Sequence, residues 1–162
     1  MSFSLIHFWI VNCRNLLFLL FSMVFLSNSG NAQNQIAADS LEKIYNSGTK
    51  GKQNLDVLKG LAENSIAPYK KLKFSEELLA VARKKDSNTY IYSGLLQKGN
   101  ALVSMGNFSR ALESYFQAAS IAKTERELGL IKVTLGDVYS LTDNHSRSIK
   151  YYNENDRSNK KS

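Results

Sequence analysis

Apolar residues recur along this chain at helical spacing, in blocks divided by short polar turns. Ahead of those blocks stands an almost unbroken apolar stretch, Leu16 to Leu26, reading LLFLLFSMVFL. Ile36, Leu41, Ile44 and Tyr45 then mark a short amphipathic helix over 36–45, and the polar run 46–54, with two glycines, reads as a loop. Leu55, Leu58, Leu61 and Ala62 share one helical face up to about Ile66, where Pro68 either breaks the helix or opens the next. Leu72, Leu78, Leu79 and Ala82 predict a helix closed by Arg83-Lys84-Lys85, cations well placed against C-terminal carbonyls. The pattern goes on through a turn at Asp86-Ser87-Asn88, a helix over 89–105, a turn at Gly106-Asn107 and a helix over 108–123. It ends with a helix over 127–141, a turn at Asp143-Asn144, a last helix over 146–155 and a frayed polar tail, DRSNKKS. Connections this short force neighbouring helices antiparallel, so the unit is a helical hairpin and the fold class is all-α. One proline among 162 residues agrees with helices rather than a turn-rich β fold.

The hairpins repeat. Laying Gly99 on Gly136 brings Leu102 onto Tyr139, Asn107 onto Asn144, Ala111 onto Ser148, Leu112 onto Ile149 and Tyr115 onto Tyr152, with a constant offset of 37 residues. A glycine inside a helix costs ~1 kcal/mol against alanine, so two at matching positions point to close helix approach. Gly99, Leu102, Ala111, Tyr115 and Ala118, with Gly136, Tyr139, Ser148 and Tyr152, resemble the signature of the tetratricopeptide repeat family: a small and then a large residue in the first helix, a small residue and an aromatic in the second. The resemblance covers about residues 92–152. A degenerate copy precedes it, with Leu55, Leu58 and Ala62 in one helix and Leu72, Ser75, Leu78 and Ala82 in the other, but Lys59 holds its small position. The period departs from the family's ~34 residues, the proline that often ends a repeat is absent, Asn155 stands where a small apolar residue is expected, and no capping helix follows.

The resemblance implies antiparallel hairpins stacked as a short right-handed solenoid whose first helices line a groove. In this register Ser93, Leu96, Gln97, Asn100, Val103 and Ser104 face the groove from one copy, and Val133, Asp137 and Ser140 from the next. Family members that grip a peptide's terminal carboxylate set lysine or arginine beside asparagine. Asn100 fits the asparagine place, but the basic partners are missing, so a mixed polar and apolar groove for a protein segment is expected instead. Tyr115, Tyr139 and Tyr152 are expected in the hairpin core, and Tyr151, one residue off that register, outside it.

The apolar stretch is too short for the ~30 Å of a bilayer core and matches a secretory leader. Arg14 precedes it and SNSGNAQNQ follows, with Gly30 and Ala32 placed for cleavage after Ala32. Phe3 to Val11 is also apolar, so the alternative is an uncleaved anchor. The expected organisation is a leader over 1–32, a short helix and linker over 33–53, about three hairpins over 54–155 and a tail over 156–162.

The formal charge is +7. The basic residues are scattered and not interleaved with aromatics, so a solvated surface is expected rather than a nucleic-acid partner. Cys13 and His7 lie in the leader; His145, in a turn, is the one histidine beyond it. That leaves no zinc constellation, and no glycine loop of dinucleotide or Walker type occurs, Gly51-Lys52 lying in a polar linker. Glu76 and Glu77 are adjacent on a helix and expected to be solvated. No catalytic residue, metal or cofactor is assigned. The expectation is an exported, non-catalytic module that binds a protein or peptide, with self-association through its uncapped last hairpin and membrane contact only through a retained anchor. The alternative is a truncated sensory domain, since exported repeats that open with a DSLEK-like helix resemble the N-terminal regions of bacterial membrane histidine kinases.

Overall fold

The structure, a computed structural model, describes the backbone of residues 29–159 and the side chains of residues 33–156. Among these it is all helical: α1 Ser29–Asn46, α2 Thr49–Lys52, α3 Leu55–Asn64, α4 Pro68–Lys84, α5 Asn88–Ser104, α6 Phe108–Ile121, α7 Glu125–Leu141 and α8 His145–Asn159. The expected leader lies outside the described residues up to the start of α1. No described helix is long and apolar enough to cross a membrane.

Several elements differ from the sequence expectation. The first helix is longer than 36–45: it starts at Ser29 and runs through Ala32, because the polar residues after Gly30 include no breaker and Gln35 reaches Asp39 across one turn at 2.7 Å. The linker 46–54 contains α2, a single turn. There Gly51 lies so close to the Ile44 carbonyl that no side chain would fit, so it is a contact point rather than slack chain. His145 opens α8 instead of sitting in a turn, and α8 continues into the expected tail as far as Asn159, with neither Gly nor Pro to stop it.

Neighbouring helices pack in chain order, α3 on α4, α5 on α6 and α7 on α8, with α4 also closely packed on α5. Two of the three hairpins close by the same device. Gly106, at φ 73°, and Asp143, at φ 56°, take left-handed backbone two residues after the last helical residue. Behind them the Asn107 N–H reaches the Leu102 carbonyl and the Asn144 N–H the Tyr139 carbonyl, both at 2.8 Å. This six-to-one bond satisfies a carbonyl that the helix end leaves unpaired. Asn107 and Asn144 then cap the next helix, accepting from the Arg110 and Arg147 N–H at 3.4 and 3.3 Å. The α3–α4 hairpin closes differently. Pro68 opens α4, its preset φ suiting a first helical position, and Lys71 Nζ reaches back to the Ala62 and Glu63 carbonyls at 2.7 and 2.8 Å. Burial pushes the Lys71 ammonium below its ordinary pKa, with Glu63 opposing that shift.

Adjacent residues of α4 serve two cores. Leu78 joins Leu58, Leu61, Ala62 and Phe74 in a cluster closed by Tyr45 of α1. Leu79 joins the larger cluster of α5, α6 and α7, with Leu95, Leu102, Tyr115, Ile131, Leu135 and Val138. Helix α1 therefore covers the first hairpin. Leu41 lies against Gly60, Tyr45 stands edge-on to Phe74 with centroids 5.3 Å apart, and Lys70 bonds Glu42 at 2.6 Å. Glu77 accepts from the Tyr45 hydroxyl at 2.8 Å and Glu76 pairs with Lys98 at 3.1 Å, so neither carboxylate is merely solvated.

Candidate docking groove

The first helices of the hairpins, α3, α5 and α7, are tied to one another by side chains. The Tyr90 hydroxyl donates to Asp56 at 2.5 Å and Ser93 Oγ to Glu63 at 3.5 Å, linking α5 to α3. Tyr92 donates to the Glu127 carbonyl at 3.1 Å, linking α5 to α7. Burial, and then the Glu127 carboxylate, push the Tyr92 phenol up to about 12, so it is a neutral donor at any ordinary pH.

The repeat glycines have one job in both copies. A Cβ at Gly99 would collide with the Tyr115 ring, and one at Gly136 would meet Tyr152 Cε1 at 2.6 Å. Each ring thus lies flat on helix backbone, and its hydroxyl donates to the residue after the glycine: Tyr115 to Asn100 Oδ1 at 2.7 Å, Tyr152 to Asp137 Oδ1 at 2.6 Å. Leu102, Ala111, Ala118 and Tyr139 are buried, as is Ser148 at the second small position. Tyr115 is 2% exposed but Tyr152 is 38% exposed. Tyr152 therefore differs from the expected core residue, because no described helix covers its outer face. Tyr151 differs in the other direction: it is half-buried and stacks on Tyr139 at 5.6 Å, with the Arg147 guanidinium 5.4 Å from the Tyr139 ring.

Most of the expected groove residues are accessible. Gln97 and Asn100 are half-buried and bonded to each other at 3.3 Å, Val103 and Val133 are half-buried, and Ser104, Asp137 and Ser140 are exposed. Ser93 and Leu96 are not on the face. They are 6% and 7% exposed: Ser93 Oγ faces Glu63 of α3, and Leu96 is packed in the core cluster that holds Ile131, Leu135 and Val138 of α7. The face also carries residues that the sequence reading passed over: Leu130, Thr134 and Leu141, with the two leucines 47% and 59% exposed. Each stands 37 residues after Ser93, Gln97 or Ser104, so the repeat offset was the signal for them.

Between α5, α6 and α7 this face dips into a hollow of about 170 Å³ lined by Asn100, Val103, Tyr115, Thr134, Asp137 and Val138. Burial, and then the charge of Asp137, push the Tyr115 phenol far above its ordinary value. For Tyr152 the hydrogen bond to Asp137 leads a smaller upward shift. A second hollow, about 390 Å³, opens among α4, α5 and α6, where Arg83, Lys98 and Arg110 alternate with Glu76 and Glu113. Among the described residues no three His, Cys, Asp or Glu side chains are grouped to hold a metal ion. What the α3–α5–α7 face offers is recognition chemistry: exposed leucines, amides and a carboxylate held in fixed positions by tyrosine hydroxyls. No protein-family model matches this chain, and no curated protein matches it.

Proposed function

We propose that this chain is an exported interaction module of tetratricopeptide type, non-catalytic, whose hairpins stack as a short right-handed solenoid and hold a segment of a partner protein on the face of α3, α5 and α7. One observation carries the reading: the glycine–tyrosine contact, the tyrosine hydrogen bond and the asparagine cap recur together at the 37-residue offset. Repetition of that kind sets equivalent side chains side by side along a surface, which is how repeat proteins build extended binding faces. Export rests on the apolar leader. The test is capture of partners from the exported fraction by the wild type and by an Asn100→Ala, Asp137→Ala double variant. Loss of a partner supports the assignment, and equal capture of every partner rejects it.

A second reading, the sensory region of a larger membrane signalling protein, has one observation in its favour. Ile149 is 59% exposed on α8 beside the half-exposed Tyr152, whereas their register equivalents Leu112 and Tyr115 are half-buried and buried. That apolar surface suits a further helix or a second copy of the chain. Sedimentation of the wild type and of Ile149→Lys separates the two, since self-association through this surface is lost in the variant.

A further inference from the structure

The hollow between α5, α6 and α7 has an unusual balance of hydrogen-bonding groups. Its hydroxyls have spent their hydrogens within the protein. Tyr115 donates to Asn100 Oδ1 at 2.7 Å and Thr134 Oγ1 donates to the Ile131 carbonyl at 2.9 Å. The Tyr152 hydroxyl takes only one oxygen of Asp137. What remains toward the hollow are acceptors: lone pairs on Tyr115 Oη, Thr134 Oγ1 and Asn100 Oδ1, and the free capacity of the Asp137 carboxylate. Of the lining side chains only Asn100 keeps a spare donor, since its amide nitrogen already gives one hydrogen to Gln97. The walls are the methyl groups of Val103 and Val138. The volume, about 170 Å³, compares with the ~150 Å³ of an engineered cavity that holds benzene.

We propose that this hollow is a subsite for the side chain of a lysine carried by the docked partner segment, its aliphatic stem between Val103 and Val138 and its ammonium on Asp137, Thr134 and Asn100. This deepens the docking reading and rests on it. An ammonium brings three donors and no acceptor to a site of acceptors. A carboxylate would meet the Asp137 charge, and an apolar side chain would cover the second Asp137 oxygen, which Tyr152 does not take, without pairing it. The tyrosine bonds hold Asn100 and Asp137 in place beforehand, so binding orders little besides the lysine. The Asp137 carboxylate complements a cationic side chain.

The test is an amide-resolved NMR titration of the purified full chain with Nα-acetyl-lysine N-methylamide, its Nε-acetylated form and the corresponding glutamate. The lysine probe is expected to shift Val103, Thr134 and Asp137 saturably. The acetylated form is expected to bind at least about tenfold more weakly, the scale of one lost charge-assisted bond, and the glutamate not at all. Asp137→Asn keeps an acceptor for Tyr152 and the fold, and is expected to lose lysine binding by about the same factor. Shifts that are absent, or equal for the acetylated probe, or unchanged in Asp137→Asn, overturn the proposal. Partner capture that is lost in the Asn100→Ala, Asp137→Ala variant but indifferent to lysine acetylation of the partner overturns the lysine subsite and leaves the docking face standing.

Discussion

Hairpins α5–α6 and α7–α8 carry the same contact in different surroundings. In each, a tyrosine ring lies on a glycine and its hydroxyl bonds the next residue of the facing helix. Tyr115 is nevertheless buried and Tyr152 is not, because α7 packs on the α5–α6 hairpin and no described helix closes over α7–α8. The sequence changes accordingly. Ala111 and Ala118 become Ser148 and Asn155 at the register-equivalent positions, and Asn155 Oδ1 lies close above Gly129. Local geometry therefore follows from the repeat, while the energy each copy contributes is set by what lies outside it.

The sharpest way to break this comparison is to delete the two rings. Tyr115→Ala removes a fully enclosed side chain and strands Asn100, so a loss of about 3–5 kcal/mol is expected, as for other large-to-small aromatic changes in cores. Tyr152→Ala opens no enclosed cavity and is expected to cost about 1 kcal/mol. Urea unfolding of both variants reads the difference. Equal losses would mean that the outer hairpin is covered in solution.

The glycines make the same comparison on a smaller scale and with a possible change of sign. At Gly99 an added methyl meets a ring that has nowhere to go, and overpacking of about 1–3 kcal/mol outweighs the ~1 kcal/mol that alanine gains over glycine in a helix. At Gly136 the Tyr152 ring swings into solvent, so Gly136→Ala is expected to be neutral or slightly stabilising. Melting temperatures of the two variants, measured side by side, test this. A loss at Gly136 as large as at Gly99 would show that the outer contact is as rigid as the inner one.

These contrasts mark how far the sequence could be read. The 37-residue offset located both glycines of close helix approach and the turn asparagines, because each is set by neighbours within one hairpin; that Asn107 and Asn144 also cap the next helix was added by the structure. The offset did not reveal that Ser93 and Leu96 are covered, since that depends on contacts between hairpins, with Glu63 of α3 and with the shared core of α5, α6 and α7. Tyr151 was misplaced for the same reason: a stack on Tyr139 crosses between helices and has no spacing of its own. The docking of α1 through Tyr45 on Phe74 and Glu77 was likewise out of reach, because a single amphipathic helix does not specify which hairpin it covers. Leu130, Thr134 and Leu141 were legible and passed over. The offset names them directly.

The smallest expected effect concerns how the first helices of the two hairpins begin. Helix α7 opens with a capping box: Glu127 N–H donates to Thr124 Oγ1 at 3.1 Å, while Glu127 Oε2 accepts from the Thr124 and Lys123 N–H at 3.1 and 2.7 Å. Helix α5 opens at Ser87 with no side-chain cap bond. The bond from the Lys123 N–H is the main reason that the Glu127 carboxyl titrates below the usual range, aided by Thr124 and opposed by slight burial. Since the folded pKa is depressed, this stabilisation is complete above the unfolded carboxylate pKa and is lost as pH falls through the folded one. Glu127→Ala is therefore expected to cost about 1 kcal/mol near neutral pH, the usual worth of a helix cap, and to cost little once the wild-type carboxyl is protonated. Ser87→Ala, at the uncapped helix, should change little at either pH. Denaturation of the three proteins at pH values on either side of the carboxylate range measures both contrasts. A Glu127→Ala penalty that persists undiminished in acid would assign the stability to side-chain contact rather than to the charged cap.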